Sequence, residues 1–404
     1  MTDRSARQII RQPRTADVVV IGGGIVGAAS AFWLARAGRR PVIVERASAL
    51  ATATTAASVG GVRAQWTEPE NVAMMRESLE LFSRFAEVLA LPSADADIGL
   101  TRQGYLFAST DPTQRPALAD RVARQRALGL DDVELLDGDE LRRRFPWLAA
   151  EAAVATFRAG DGSLDAVRAA RLFAHAAAAP ILLDTEATAI ERHAGRVTGV
   201  RTNRGRIASE TVVLATGPFA AVLAAEVGEH LPLTLLRRHR LTLPPHPAIP
   251  ADAPMTIDAD TGAHWRPHRG GAILAWPQAE TDAPPVWPVP PNPAFPALVL
   301  RDPRGVARLA PFWHEVATTL HLPDLDLTAG HYTMTPDHKP LIGPAPSIAG
   351  LWLHTGYSGH GVMGCPSGAR LLADLMVGTV RDTDNPFRPG RFAAGAMGVE
   401  RGVL

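Results

Sequence analysis

The sequence predicts an α/β (α+β) chain made of two interleaved halves, on three observations. Between Asp17 and Glu45 a β-favouring run, a glycine turn, a helical run and a second β-run follow one another. Strand-like segments return between Ile181 and Ala215 after a helical middle. A stretch with 14 prolines in the 53 residues from Pro244 to Pro296 then interleaves short strand candidates where no packed helix can persist.

Asp17 to Ile21 is expected as a buried strand, Ala28 to Ala37 as a helix and Arg40 to Glu45 as the next strand. Apolar residues at helical spacing predict a helix from Glu68 to Leu89, with Pro69 suiting its first turn. Helices are also expected at Arg115 to Leu128 and Gly138 to Phe145, and one capped by Ser163 from Leu164 to Ala178. Strands follow at 181–185, 187–192, 196–202 and 211–215, then at 255–258, 264–266 and 271–276 within the proline-dense region. Arg304 to Leu320 reads as a helix, Leu327 to Thr333 as a strand, and Ser358 to Val377 as the last long helix. The densest proline run, 281–296, suits a loop over a pocket better than a docking peptide, because it is aromatic and lies mid-domain.

At roughly 150 residues per domain, 404 residues imply two or three domains. Forty-one basic residues balance 41 acidic ones, so no net field draws the chain to nucleic acid or anionic lipid. Arg4, Arg7, Arg11 and Arg14 before the uncharged run 18–35 imitate a secretory signal, but the four glycines inside that run and the strand after it exclude one, and no membrane span is expected. Cys365 is the only cysteine, which rules out an intrachain disulfide, a cysteine-based zinc site and paired redox thiols; a reducing cytoplasm fits. Of the basic residues only Lys339 is a lysine. Arg142–Arg144 and Arg237–Arg240 are expected as solvated faces. His264 and His268, four apart in a stranded segment, are expected not to share a face, and no metal is predicted.

Gly22, Gly24 and Gly27 stand in GxGxxG register between strand and helix, the arrangement in which glycines admit a tight turn, a pyrophosphate and close helix packing, while helix amides hold the phosphates. Glu45, 18 residues after Gly27 at the end of the next strand, can bond a ribose 2′-hydroxyl and would repel a 2′-phosphate. A Rossmann-like dinucleotide site follows, although this motif alone does not separate FAD from NAD. The plain alternative is a glycine-rich turn in an unrelated α/β protein.

The ordered set DVVVIGGGIVGAASAFWLARAG, VIVER, SVGGVRAQW, DGSLDAVRAARLFA, VVLATG, GAHWRPHRGG, TMTPDHKPLIG and GYSGHGVMGCPSG, between about Asp17 and Met376, resembles the D-amino-acid oxidase superfamily of FAD-dependent oxidoreductases. It is most similar to the branch of sarcosine oxidase, the sarcosine and dimethylglycine dehydrogenases, and bacterial amino-acid dehydrogenase flavin subunits. The resemblance implies a discontinuous FAD-binding domain at 15–90, 150–220 and 326–395, a second substrate or cap domain on a mixed β-sheet at 91–149 and 221–325, and flexible ends at 1–14 and 396–404. By the same resemblance Gly22, Gly24, Ile25, Val26, Gly27, Glu45 and Arg46 hold the ADP half. Ser58, Gly61, Val62 and Arg63 run along the pyrophosphate and flavin. Ala187 faces adenine, Ala215 and Gly217 the ribityl chain, and Gly343, Gly359, His360, Gly361, Val362 and Met363 the flavin.

Departures from the family pattern sharpen the expectation. Gly330 and Ser58 occupy the positions where relatives carry a tethering cysteine or histidine, so the FAD is expected to be noncovalent. Tyr332 replaces the carboxylate-gripping arginine of glycine oxidase and D-amino-acid dehydrogenases, and Met363 replaces the carboxylate lysine of sarcosine oxidase. The remaining cations for a substrate carboxylate are Arg63 and Arg266; Tyr332 and Tyr357 are further substrate contacts, and His264 and His331 supporting groups beside the flavin. Ile273 or Leu274 stands where oxidases of that type place an oxygen-activating lysine, which favours a dehydrogenase. The expected activity is oxidation of the C–N bond of an amino acid or a secondary amine, N-alkyl or cyclic. The rivals are a flavin-holding subunit or assembly factor with no turnover of its own, for which 281–296 is the expected contact, and an NAD-dependent dehydrogenase using only the first βαβ unit.

Overall fold

The computed structural model describes residues 12–281, 284–394 and 398–403. Its first sheet has six strands. β1 (Val18–Ile21) lies at the centre, with β2 (Pro41–Val44) and Ile181–Leu182 on one side and Val212–Leu214, Leu351–Thr355 and Leu341–Pro344 on the other; only the last strand is antiparallel. These strands read as continuous apolar runs because both faces are covered. Val18 and Val20 pack under α1 (Ile25–Arg36) and the helices Ala166–Ala176 and Gly361–Val377, with α2 (Pro69–Ser83) behind them. Val19, Ile21, Val42 and Val44 face the three-stranded meander 187–208.

The second sheet is mixed and eight-stranded. Its order is Asp326–Met334, Thr234–Leu243, Gly271–Ala275, His264–His268, Met255–Asp258, Tyr105–Ser109, Val154–Arg158 and Glu134–Asp137. One face is closed by the helices Phe295–Arg301 and Phe312–Thr319, through Leu241, Leu274 and Trp265 against Phe295 and Trp313. The other face looks onto the first sheet. The segments 154–158 and 326–334, expected in the nucleotide-binding half, pair into this sheet instead; the second forms a nine-residue ladder with Thr234–Leu243.

Other boundaries also shift. Asp165, not Ser163, caps the helix Ala166–Ala176, its carboxylate accepting from the Arg168 N–H at 2.9 Å. The helix expected at 304–320 breaks into a short turn at Val306–Arg308 and a helix at Phe312–Thr319, because Pro311 cannot continue the first. The strands at 105–109, 134–137, 154–158, 234–243, 341–344 and 351–355 carried no sequence expectation. Residues 1–11, 395–397 and 404 of the expected flexible ends lie outside the described residues, as do 282–283 of the proline-rich loop. The described residues 398–403 are not loose: Glu400 is fully buried and accepts hydrogen bonds from the backbone of Thr67 and Glu68 and the side chain of Asn71 at the start of α2. Among the described residues no helix is long and apolar enough to cross a membrane.

Candidate active site

A cavity of about 520 Å³ runs between the two sheets, from the first βα turn to the N-terminus of Gly361–Val377. At its first end the chain leaves β1 through Gly22, whose φ of +111° suits glycine and whose Cβ position lies 2.5 Å from the Ala215 carbonyl oxygen. A Cβ on Gly27 would stand 1.9 Å from the Gly22 carbonyl oxygen, so any side chain there drives α1 off the turn. Glu45, at the end of β2, accepts from the Gly23 N–H at 2.6 Å and the Ala47 N–H at 2.8 Å. Each carboxylate oxygen keeps a lone pair for a ribose hydroxyl. The N-cap of α1 is Gly24, which has no side chain to cap the helix; the Ile25 N–H donates to Thr55 Oγ1 at 3.1 Å, and this end of the helix borders the cavity. Arg46 lies between the rings of Phe219, 4.0 Å away, and Trp287, 4.7 Å away, so the proline-rich loop reaches over this end of the cavity.

The far end is made by Gly359, Gly361 and Val362 on one side and by the eight-stranded sheet on the other, which contributes Arg238, His264, Gly330, His331 and Tyr332. The Tyr332 ring packs so closely on Gly359 that a Cβ there would fall 2.2 Å from it. Burial raises the Tyr332 pKa against the lowering effect of Arg238 and Arg63, so the phenol stays a neutral donor. His264 donates its Nδ1–H to the Gly262 carbonyl at 2.8 Å, and burial pushes its pKa down to about 4. A side chamber of about 50 Å³ opens beside Tyr332 and His264, lined by Arg63, Tyr105, His360 and Met363 among others.

These positions test the sequence expectations individually. Gly22, Gly24, Ile25, Val26, Glu45, Arg46, Ser58, Ala187, Ala215, Gly217, His264, His331, Tyr332, Tyr357, Gly359, Gly361 and Val362 border the main cavity, and Gly61, Arg63, His360 and Met363 the side chamber. Four do neither. Gly27 packs behind the turn, Val62 lies in the core, and Gly343 turns toward Asn385 and Asp382 on the edge strand. Arg266 spends its Nε on the Val59 carbonyl at 2.6 Å and a terminal nitrogen on that of Pro267 at 3.1 Å. Tyr357 presents its ring to the cavity, but its hydroxyl points into the core, 2.6 Å from Nε2 of His354. His354 Nδ1 lies 2.7 Å from Ser30 Oγ, whose hydroxyl already donates to Val26 O at 2.8 Å. Nδ1 must therefore carry the proton, and the Tyr357 hydroxyl donates to Nε2. This chain of bonds joins α1 to the segment that starts the last long helix.

The arginine runs divide. Arg142, Arg143 and Arg144 are surface groups paired with Asp139, Glu140 and Glu134. Arg238 and Arg240 instead face inward from the strand Thr234–Leu243, contrary to expectation: Arg238 lines the cavity, and Arg240 holds the Ala56 and Ser58 carbonyls. Period-two alternation was the available signal, but the strand itself went unrecognised. His264 and His268 do share a face, because the strand extends to His268; at about 3.3 Å per residue they stand some 13 Å apart. Among the described residues no three His, Cys, Asp or Glu side chains gather to hold a metal. Cys365 is fully buried, and its thiol donates to Val362 O at 3.6 Å, the carbonyl that Pro366, lacking an N–H, cannot serve.

Burial depresses the pKa of His264 to about 4 and those of His354 and His360 to about 3. In the unfolded chain each titrates near 6.5, so between these values the unfolded state binds more protons. The stability they contribute is complete above pH 6.5 and is lost as pH falls, on the order of 1 kcal/mol per pH unit per histidine. The urea midpoint is expected to drop steeply from pH 6.5 to 4.5; a flat profile contradicts neutral burial of these rings.

A glycine turn at a parallel strand, an acidic residue closing the next strand, and a second helix N-terminus at the far end of one long cavity define a flavin-nucleotide oxidoreductase. Residues 17–375 match the family described as FAD dependent oxidoreductase, DAO, and the chain belongs to that family. It is 29% identical to glycine oxidase of Geobacillus kaustophilus over 89% of this chain and 92% of that protein. It is 27% identical to D-amino acid dehydrogenase of Cereibacter sphaeroides over 91% of this chain and 93% of that one. The solved structure of L-proline dehydrogenase from P. horikoshii superposes with a TM-score of 0.82 at 25% identity, covering 96% of this chain and all of that one. The Rossmann-like FAD-binding fold with its second mixed sheet, expected from the sequence, is the fold observed.

Proposed function

We propose that this chain oxidises the C–N bond of an amino acid, in particular one with a secondary N-alkyl or cyclic amine, using noncovalent FAD and passing electrons to an acceptor other than oxygen. The observation that carries the reading is the continuity of the cavity from the Glu45 ribose site to Tyr332 and His264. Gly22, Gly24, Ile25 and Val26 would hold the pyrophosphate, Arg46 and Ala187 the adenosine, and Gly359 to Val362 the flavin edge that becomes negative on reduction. FAD bound there would accept the substrate C–H hydrogen as a hydride carrying both electrons, and the iminium left behind would be hydrolysed by water. The chain itself orients and excludes water. The neutral phenol of Tyr332 donates to the substrate, and neutral His264 borders it beside His331 without abstracting a proton, since hydride loss from a free amine needs no base. Arg63, in the side chamber, adds positive charge beside Tyr332.

Gly330 and Ser58 border the cavity without a thiol or imidazole to tether the cofactor. Ile273 is apolar and Leu274 sits in the core, while Lys339 is buried elsewhere on Glu70, 2.5 Å away, which supports a dehydrogenase. Proline, the substrate in the name of the superposed dehydrogenase, is a cyclic secondary amine and supports that substrate class. Anaerobic mixing with amino acids and amines should bleach the flavin, and admitted oxygen should restore it slowly; no bleaching by any of them rejects the reading. In that case the second reading stands, a flavin-holding subunit whose contact is the exposed Val286 and Trp287 of the proline-rich loop. Tyr332→Phe is expected to weaken substrate binding roughly tenfold with flavin content unchanged; equal loss of both refutes its role.

A further inference from the structure

We propose that Arg238 takes the substrate carboxylate, an assignment that rests on the amino-acid reading above. The other cations near the site are already engaged. Both terminal nitrogens of Arg63 donate to main-chain carbonyls, those of Gln65 and Gly402, and its guanidinium lies 3.9 Å from the Trp66 ring centre. Arg266 is held by Val59 and Pro267 and borders neither cavity. Arg46 is stacked between two rings at the opposite, adenosine end.

Arg238 differs from all three. One terminal nitrogen donates to the carbonyls of Gln278 at 2.8 Å and Arg237 at 3.1 Å, which aims the guanidinium. Its Nε is buried with no acceptor, and among the described residues no carboxylate pairs with it. A guanidinium withdrawn from water without an anion is costly, and such a group inside a ligand cavity marks where an anion arrives. In the strand register Arg238 stands opposite Gly330, which has no side chain of its own, and Leu236 stands opposite Tyr332. The guanidinium lies 5.2 Å from the Tyr332 ring centre, so fork and phenol can share one carboxylate, while the uncharged His264 imidazole leaves the amine unopposed.

Benzoate and its neutral amide, benzamide, are the probes, titrated against the holoenzyme by the visible spectrum of its flavin. Arg238→Ala should weaken benzoate roughly 10- to 100-fold and leave benzamide unchanged. Arg238→Lys, which keeps the charge but not the fork, should recover part of the loss. If the alanine variant loses its flavin, the lysine and Arg238→Gln variants decide. The assignment is overturned if benzoate binds the variants as tightly as the wild type, if wild-type flavin does not respond to benzoate, or if Arg63→Lys rather than Arg238→Ala carries the loss. Wild-type bleaching separates the two layers. An amino acid that bleaches wild type while Arg238→Ala retains benzoate affinity removes Arg238 alone. A wild type that no amino acid or amine bleaches removes the functional reading, and the benzoate titration still decides the anion site.

Discussion

Gly27→Ala protein is expected to fold its second sheet normally and to elute colourless. The added methyl would stand 1.9 Å from the Gly22 carbonyl oxygen, which belongs to main chain and cannot swing aside. Relief requires α1 to withdraw from the turn, and the amides at its start leave the phosphate position with it. Flavin content measured after extraction should fall by at least tenfold, with far-UV circular dichroism close to wild type. A yellow Gly27→Ala protein at full occupancy would show that the glycine turn is not the phosphate site.

The second large effect lies outside the cavity. Arg391 is 2% exposed and forms a fork on Asp337, with Nε and Nη2 at 2.8 and 2.9 Å, and also donates to the carbonyls of Phe387 and Lys339. Arg391→Met strands a buried carboxylate and should cost about 3–5 kcal/mol. Urea unfolding checks this. Arg391→Met with Asp337→Asn should regain much of the loss, because no charge is then left unpaired. A single variant within about 1 kcal/mol of wild type would show that the pair contributes little. The pair also gives the TPDHKP segment a structural purpose: Asp337 ties the turn after the Tyr332 strand to the chain near residue 391.

The first βαβ unit was legible because its signals are local. Gly22, Gly24 and Gly27 obey a spacing set by one turn, and Glu45 follows from the length of one helix and one strand. The second sheet was largely hidden. Tyr105 and Met255 reach the side chamber from strands brought together by ladders that span about 150 residues, and such register leaves no trace in spacing. Arg238 was misplaced for a related reason, since a four-residue cationic run looks solvated until its strand is recognised and alternate residues are sent to opposite faces. Tyr357 failed differently: its position was right, but the partner of its hydroxyl, His354, is settled only in three dimensions. Glu400 was hidden in a short terminal stretch with no helix or strand period, and its partners at Thr67, Glu68 and Asn71 are more than 300 residues away in sequence.

The strand Leu351–Thr355 lies between Val212–Leu214 and Leu341–Pro344 in the first sheet, and the helix that closes the far end of the cavity comes later still. While the ribosome is working, the Val212–Leu214 edge therefore waits open for some 140 residues, a template for unwanted pairing that a chaperone would have to shield. The far end of the cavity forms only after Gly361–Val377 has been made, and FAD bound there would then stabilise the folded chain by mass action.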